Sequence, residues 1–240
     1  MRLNAVLDPI HESTERFIAT VRTLSDAQIR QPSLVPPWTR GHTITHVARA
    51  GDSLCRLLAW ARTGVETPQY SSMEARAAEI DAGAARPTAE LVADVAAGAD
   101  RFTEAVRALP EDAWQAEVRM RTGELRTPHT LVPARLRELE VHHADLAAGY
   151  GFADIPPAAA RWIIDDIAAE FARRDGVPAL RIEALDSDLA HDLGGPADSR
   201  TTPLIAGTQA ALLAWLTGRS TGADLNIAGA EKVPAAPYWI

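Results

Sequence analysis

A carboxylate and an imidazole one helical turn apart make half of a metal site, and the segment RLRELEVHHADL, residues 135–146, contains such a pair. At about 100° per residue, Glu138 and His142 fall on one face of a helix. Asp145 lies on the same stripe, whereas Glu140 and His143 point elsewhere, His143 toward solvent. One carboxylate and one imidazole suit zinc, nickel or iron, but they need a partner from a second element. GHTITHVARAG, residues 41–51, offers it. His42 and His46 are themselves one turn apart, and spacing alone does not choose between them. Three protein ligands with an open fourth position are the usual catalytic arrangement, and four the structural one. Only three are evident here, so an open site is expected. Asp145 could accept a hydrogen bond from a ligating imidazole, act as a general base, or be an ordinary helix-end acid. His11, His129 and His191 have no partner at helical spacing and receive no role.

Positioning these groups requires helices that pack side by side. The sequence predicts a first helix over 8–30, with Asp8 as cap, Pro9 at the first position, and Phe17, Val21 and Leu24 at helical spacing. LVPPWT is extended, because each proline restricts the residue before it. Thr39 then caps a second helix running through Ile44, Val47, Leu54 and Leu58 to about Arg62, before Gly64. A loop, TGVETPQYSS, leads into a short helix over 73–81. The next helix starts near Thr88 and carries Leu91, Val95, Phe102, Val106 and Leu109. EVRMRTGELRTPHTL alternates weakly around Thr122 and Gly123, as a hairpin or an irregular crossover. A strong helix follows Pro133 and ends before Gly149. Together these elements predict an up-and-down four-helix bundle with one elaborated connection.

Beyond GYGFADIPP the pattern changes. A helix over 157–174 leads to the alternating VPALRIEAL, a strand; residues 186–203 read as a loop and 204–217 as the last helix. The tail DLNIAGAEKVPAAPYWI supplies one more strand. The predicted fold class is therefore α+β, with an amino-terminal helical bundle over residues 1–150 and a smaller α/β domain over 151–240.

Composition excludes several classes of function. Of the 240 residues, 47% are hydrophobic and 23% charged, ordinary for a chain that buries a full core. Aromatics are sparse at 5%, which favours close helix packing over a sheet sandwich. A net charge of −8 argues against sequence-independent nucleic-acid binding, so an anionic ligand would need a local cation, from a metal or a placed arginine. No apolar run approaches the ~20 residues of a membrane span, and the amino terminus lacks a signal-peptide core. The expectation is a cytoplasmic protein with no membrane partner.

Cys55, the single cysteine, can form no intrachain disulfide. It follows His46 by nine residues, about 180° round the same helix, and so reads as a buried structural residue rather than a nucleophile.

The segments PPWTRGHTITHVARAGDSL, LLAWARTGVETPQYSSMEARAAEI, RLRELEVHHADL, WLTGR and VPAAPYWI resemble, in order and approximate spacing, the mycothiol-dependent maleylpyruvate isomerases, members of the DinB-like superfamily of metal-binding four-helix bundles. The resemblance implies that His46, rather than His42, joins Glu138 and His142 as ligand to a divalent metal, with zinc expected. It also implies a functional arginine at Arg219, an acid beside the metal at Asp145, and a substrate-binding arginine at Arg76. The cofactor it implies is mycothiol. The reaction would be cis-to-trans isomerisation of maleylpyruvate, or a close maleyl analogue, within aromatic degradation: thiolate addition, rotation, and elimination to the fumaryl product. A neutral thiol is a poor nucleophile, and a metal-bound one is deprotonated. Arg219, just past the helix-ending Gly218, would hold a substrate carboxylate or an enolate oxygen. Partners are then a small dicarboxylate and a low-molecular-weight thiol, on a monomer or weak homodimer. The alternatives are a mycothiol S-transferase acting on another electrophile, and a non-catalytic metal-binding regulatory module.

Overall fold

The computed structural model describes residues 3–195 and 202–237. The chain divides into two compact units, Met1–Tyr150 and Gly151–Ile240. Four long helices build the first: α1 (Leu3–Arg22), α3 (Arg40–Thr63), α5 (Thr88–Arg107) and α6 (Pro128–Asp145). α3 packs on both α5 and α6, and α1 packs on the same two from the other side. Their shared core is apolar, with Phe17, Ile44, Val47, Leu57, Phe102 and Leu139 all essentially inaccessible. Two short helices, α2 (Asp26–Ile29) and α4 (Met73–Ala84), fill the connections. A two-stranded hairpin, β1 (Val118–Arg119) with β2 (Leu125–Arg126), precedes α6.

Local chemistry explains the boundaries of α3. The Thr39 side chain accepts from the His42 backbone N–H, and the His42 ring returns the bond to the Thr39 N–H, satisfying two otherwise orphaned donors. At the far end Gly64 takes φ 71°, the left-handed conformation that terminates a helix cheaply in glycine.

α1 departs from the sequence expectation. It begins at Leu3, so Asp8 is no cap and Pro9 lies inside the helix; it stops at Arg22, and Ser25 caps the separate α2. Proline loses one helical bond, but Leu7 and Ile10 on either side of it are buried, and that packing holds the turn. α6 likewise begins at Pro128 rather than after Pro133. Pro128 occupies the first turn, where its missing N–H costs nothing, and the buried Leu131 and Val132 carry the helix through Pro133.

The second unit holds α7 (Pro157–Phe171), α8 (Gln209–Leu216) and a four-stranded sheet in the order β4 (Ala190–Leu193), β3 (Leu180–Ala184), β5 (Leu204–Gly207), β6 (Asn226–Ala228). β3 and β5 run parallel, and the outer pairs are antiparallel. Two elements differ from the sequence reading. β4 lies in the segment read as loop, pairing with β3 from Leu193 opposite Leu180 to Ala190 opposite Glu183. The segment read as a helix from 204 starts as strand β5, because Leu204–Gly207 bonds β3 on one side and β6 on the other. The true helix start is Thr208, whose hydroxyl accepts from the Ala211 N–H at 3.2 Å. Among the described residues no helix is long and apolar enough to cross a membrane. The last residues of the VPAAPYWI segment lie outside the described residues.

Candidate metal centre

His46, on α3, and Glu138 with His142, on α6, converge although 92 residues separate the first two in sequence (138 − 46 = 92). His46 Nε2 lies 3.3 Å from Glu138 Oε2, and His142 Nε2 lies 3.7 Å from the same oxygen. The two imidazoles meet edge to face, with centroids 4.6 Å apart. Among the described residues these three are the group of metal-capable side chains with one donor atom each within 4.8 Å of the others.

The donor set can be tested against a cation. Ligands about 2.0–2.1 Å from a tetrahedral ion lie about 3.4 Å from one another, close to the two separations above. A second requirement is that each imidazole turn a ring nitrogen inward. His142 meets it through Asp145, fully buried, whose Oδ2 lies 2.8 Å from His142 Nδ1. A carboxylate at that nitrogen orients the ring and turns Nε2 toward Glu138. Burial pushes the His46 pKa down from 6.5 to about 4, against the pull of Glu138, so the ring is neutral at pH 7. Burial would raise Glu138, but the His46 hydrogen bond and the charges of His46, Arg137 and His142 outweigh it and hold the carboxyl well below its ordinary range. Two imidazoles, that of His46 neutral, and one carboxylate are a donor set that suits a borderline divalent cation such as zinc.

The surroundings are cationic and aromatic. Arg76, on α4, places Nη2 3.3 Å from His46 Nδ1 and spreads its guanidinium over the rings of Trp38, at 5.8 Å, and Tyr70, at 5.7 Å. Trp38 also lies 5.2 Å from the His46 ring. α4 reaches this position because two glycines permit close approach: a Cβ on Gly41 would stand 2.0 Å from the Ala84 carbonyl oxygen, and one on Gly83 2.4 Å from Thr45. Trp38 and Tyr70 were not singled out from sequence. They sit in loops without periodicity, and only their proximity to Arg76 and His46 marks them.

Other expected residues lie elsewhere. His42 serves the Thr39 cap, with Nε2 3.5 Å from Asp81 Oδ1, outside the cluster. His143 is not solvent-facing but buried: it stacks on Tyr150, with centroids 3.7 Å apart, and its Nε2 lies 2.7 Å from Thr20 Oγ1. Glu140, fully buried on the same side of α6, accepts from Arg16 and from the Tyr150 hydroxyl. Burial and this carboxylate together raise the Tyr150 pKa. Cys55 is half-buried rather than buried, beside a cavity of about 290 Å³ that Arg62, Arg101 and Glu104 also line. Burial and Asp52 push its thiol pKa up, so it is a weak nucleophile. Arg219 belongs to the second unit, where it follows Gly218, at φ 74°, and donates from Nη1 to the Thr217 carbonyl at 2.6 Å.

Residues 10–147 match the family described as the mycothiol maleylpyruvate isomerase N-terminal domain, more than half of the chain. The chain belongs to this family. Two solved structures are similar throughout. A crystal structure of the mycothiol-dependent maleylpyruvate isomerase aligns at a TM-score of 0.88 with 28% identity, covering 100% of this chain and 98% of its own. A histidine-to-alanine mutant of that isomerase aligns at 0.87 with the same identity and coverage. A comparison with curated protein sequences found no match. For a maleylpyruvate isomerase family member, the mostly helical first unit and the small sheet of the second agree with the α+β fold class read from sequence.

Proposed function

We propose that this chain is a mycothiol-dependent cis–trans isomerase that converts maleylpyruvate, or a close maleyl analogue, to the fumaryl isomer by thiol addition, rotation and elimination. One observation carries the reading: His46 and His142 both direct Nε2 at a single Glu138 oxygen, with Asp145 holding the His142 ring from its Nδ1 side. His46, Glu138 and His142 would hold a divalent cation, with zinc the choice that best suits the donors. When bound there, the cation would supply the positive charge that keeps a thiol deprotonated near neutral pH. Arg76, spread between Trp38 and Tyr70, would bind a substrate carboxylate at the rim. Arg219 is assigned a second carboxylate or the enolate oxygen. A chain with net charge −8 needs such local cations to draw in a dianion.

The test is a coupled assay with purified protein, maleylpyruvate and mycothiol, with and without a chelator. Isomerisation that requires the thiol yet leaves its concentration unchanged, and that stops on chelation, supports the reading. Stoichiometric loss of free thiol identifies an S-transferase instead, and full activity in the stripped protein overturns the cation's role.

A further inference from the structure

Two helices that pack through aliphatic side chains can slide, and a slip of one residue moves a ligand by about 1.5 Å. That is enough to break a three-atom site whose spacing is set near 3.4 Å. Something must therefore hold α3 and α6 in register. At the ends of these antiparallel helices Arg40 does so, donating from Nε to the Leu146 carbonyl at 2.6 Å and from Nη2 to Ala147 at 2.9 Å. Inside the interface a second arginine is less expected. Arg135 is fully buried and donates from Nη1 to the Val47 carbonyl at 2.7 Å. Val47 directly follows His46, and Arg135 precedes Glu138 by one turn, so this bond joins the two helices beside the cluster.

Two further observations bear on it. Room for the guanidinium comes from Gly51, one turn along α3, where a Cβ would stand 3.3–3.4 Å from Cζ, Nη1 and Nη2. Nε and Nη2 are buried with no hydrogen-bond partner. A buried guanidinium with a single acceptor is a poor stability device, since an apolar side chain of similar shape avoids its desolvation. Its charge also repels a neighbouring cation, so it is a poor electrostatic aid to cation binding. What remains is geometry.

We infer that Arg135 is a positioning residue, latching Val47 of α3 to α6 and thereby setting the spacing of His46 against Glu138 and His142. This rests on the reading of the cluster as a cation site. It acts through those ligands and touches no reacting atom.

Cobalt(II) reports the latch, through its affinity in competition with a chromophoric chelator and through its ligand-field spectrum. Three full-length variants are compared with the parent chain: Arg135→Met, Arg135→Lys and Gly51→Ala. The expected result for Arg135→Met is cobalt binding at least about tenfold weaker with an altered spectrum, at a melting temperature equal to or above the parent's. Arg135→Lys, which keeps a donor of nearly the same reach, should recover most of the affinity. Gly51→Ala crowds the guanidinium while improving helix propensity, and should weaken cobalt several-fold without lowering the melting temperature. Unchanged or tighter binding in Arg135→Met with the parent spectrum overturns the latch, because loss of charge alone has that sign. A fall in melting temperature and affinity together, without rescue by lysine, overturns it in favour of a purely structural role. Should Arg135→Met fail to fold, Gly51→Ala decides: parent-like affinity and spectrum there refute the inference. A parent chain that takes up no cobalt defeats the cation reading itself, and this inference with it.

Discussion

His142 and Asp145 face each other one turn apart at the end of α6, with 2.8 Å between Nδ1 and Oδ2 and the carboxylate wholly buried. The buried carboxylate holds the imidazole from its Nδ1 side and turns Nε2 toward Glu138. On the function proposed above, Asp145 would act through His142 rather than touch substrate.

Asp145→Asn tests this. The amide keeps the size but offers either a donor or a weaker acceptor to Nδ1. Cation affinity should fall about 10- to 100-fold with little change in far-UV circular dichroism, as measured by chelator competition. Affinity equal to the parent's would mean that the carboxylate does not orient the ring.

Glu138 and Glu140 are two residues apart on one helix and should respond in opposite ways. Glu138→Gln removes the anionic donor, and elemental analysis should find the stoichiometric metal gone. Glu140→Gln leaves the metal in place but removes the charge and one of the two buried oxygens that accept from Arg16 and the Tyr150 hydroxyl. It should cost roughly 1–3 kcal/mol in urea unfolding. Metal loss in the Glu140 variant would contradict the separation of the two faces of α6.

Acid should destabilise the cation-stripped protein. Unfolded His46 takes up a proton near 6.5, whereas burial delays this to about 4 in the folded chain, so protonation favours unfolding across that window. Glu138 has the same sign: its lowered pKa contributes stability above the ordinary 4.5 that is lost as the pH falls below it. The His46 contribution is on the order of 3 kcal/mol. Unfolding of chelated protein between about pH 7 and 4 should show the slope, flattened in His46→Asn; equal slopes in the two proteins would remove His46 as its source.

Arg219→Ala is expected to cut turnover strongly while metal content stays at the parent level, because Arg219 lies on α8's trailing turn and not among the three donors. Turnover and elemental analysis on one preparation decide it. Parent-like turnover withdraws Arg219 from the reaction.

Much of this was legible in the order of residues. A turn of helix relates Glu138 to His142 whatever surrounds them, and Thr39 and Gly64 bound α3 through capping bonds that reach at most four residues. Such features depend on local stereochemistry, which a linear string carries. Where longer contacts compete with local preference, the string misleads: Leu204–Gly207 is a strand because β3 and β6 supply partners, Pro128 starts α6 ahead of Pro133, and His143 is buried because Tyr150 folds back upon it. Spacing left His42 and His46 equivalent; packing separates them by bringing Glu138 of α6 to His46, while His42 stays on the Thr39 cap. Arg135 gave no signal of its own, since an arginine on a helix is ordinarily solvated. Its burial against Gly51 and Val47 follows from how closely α3 and α6 approach, a distance that no local rule contains.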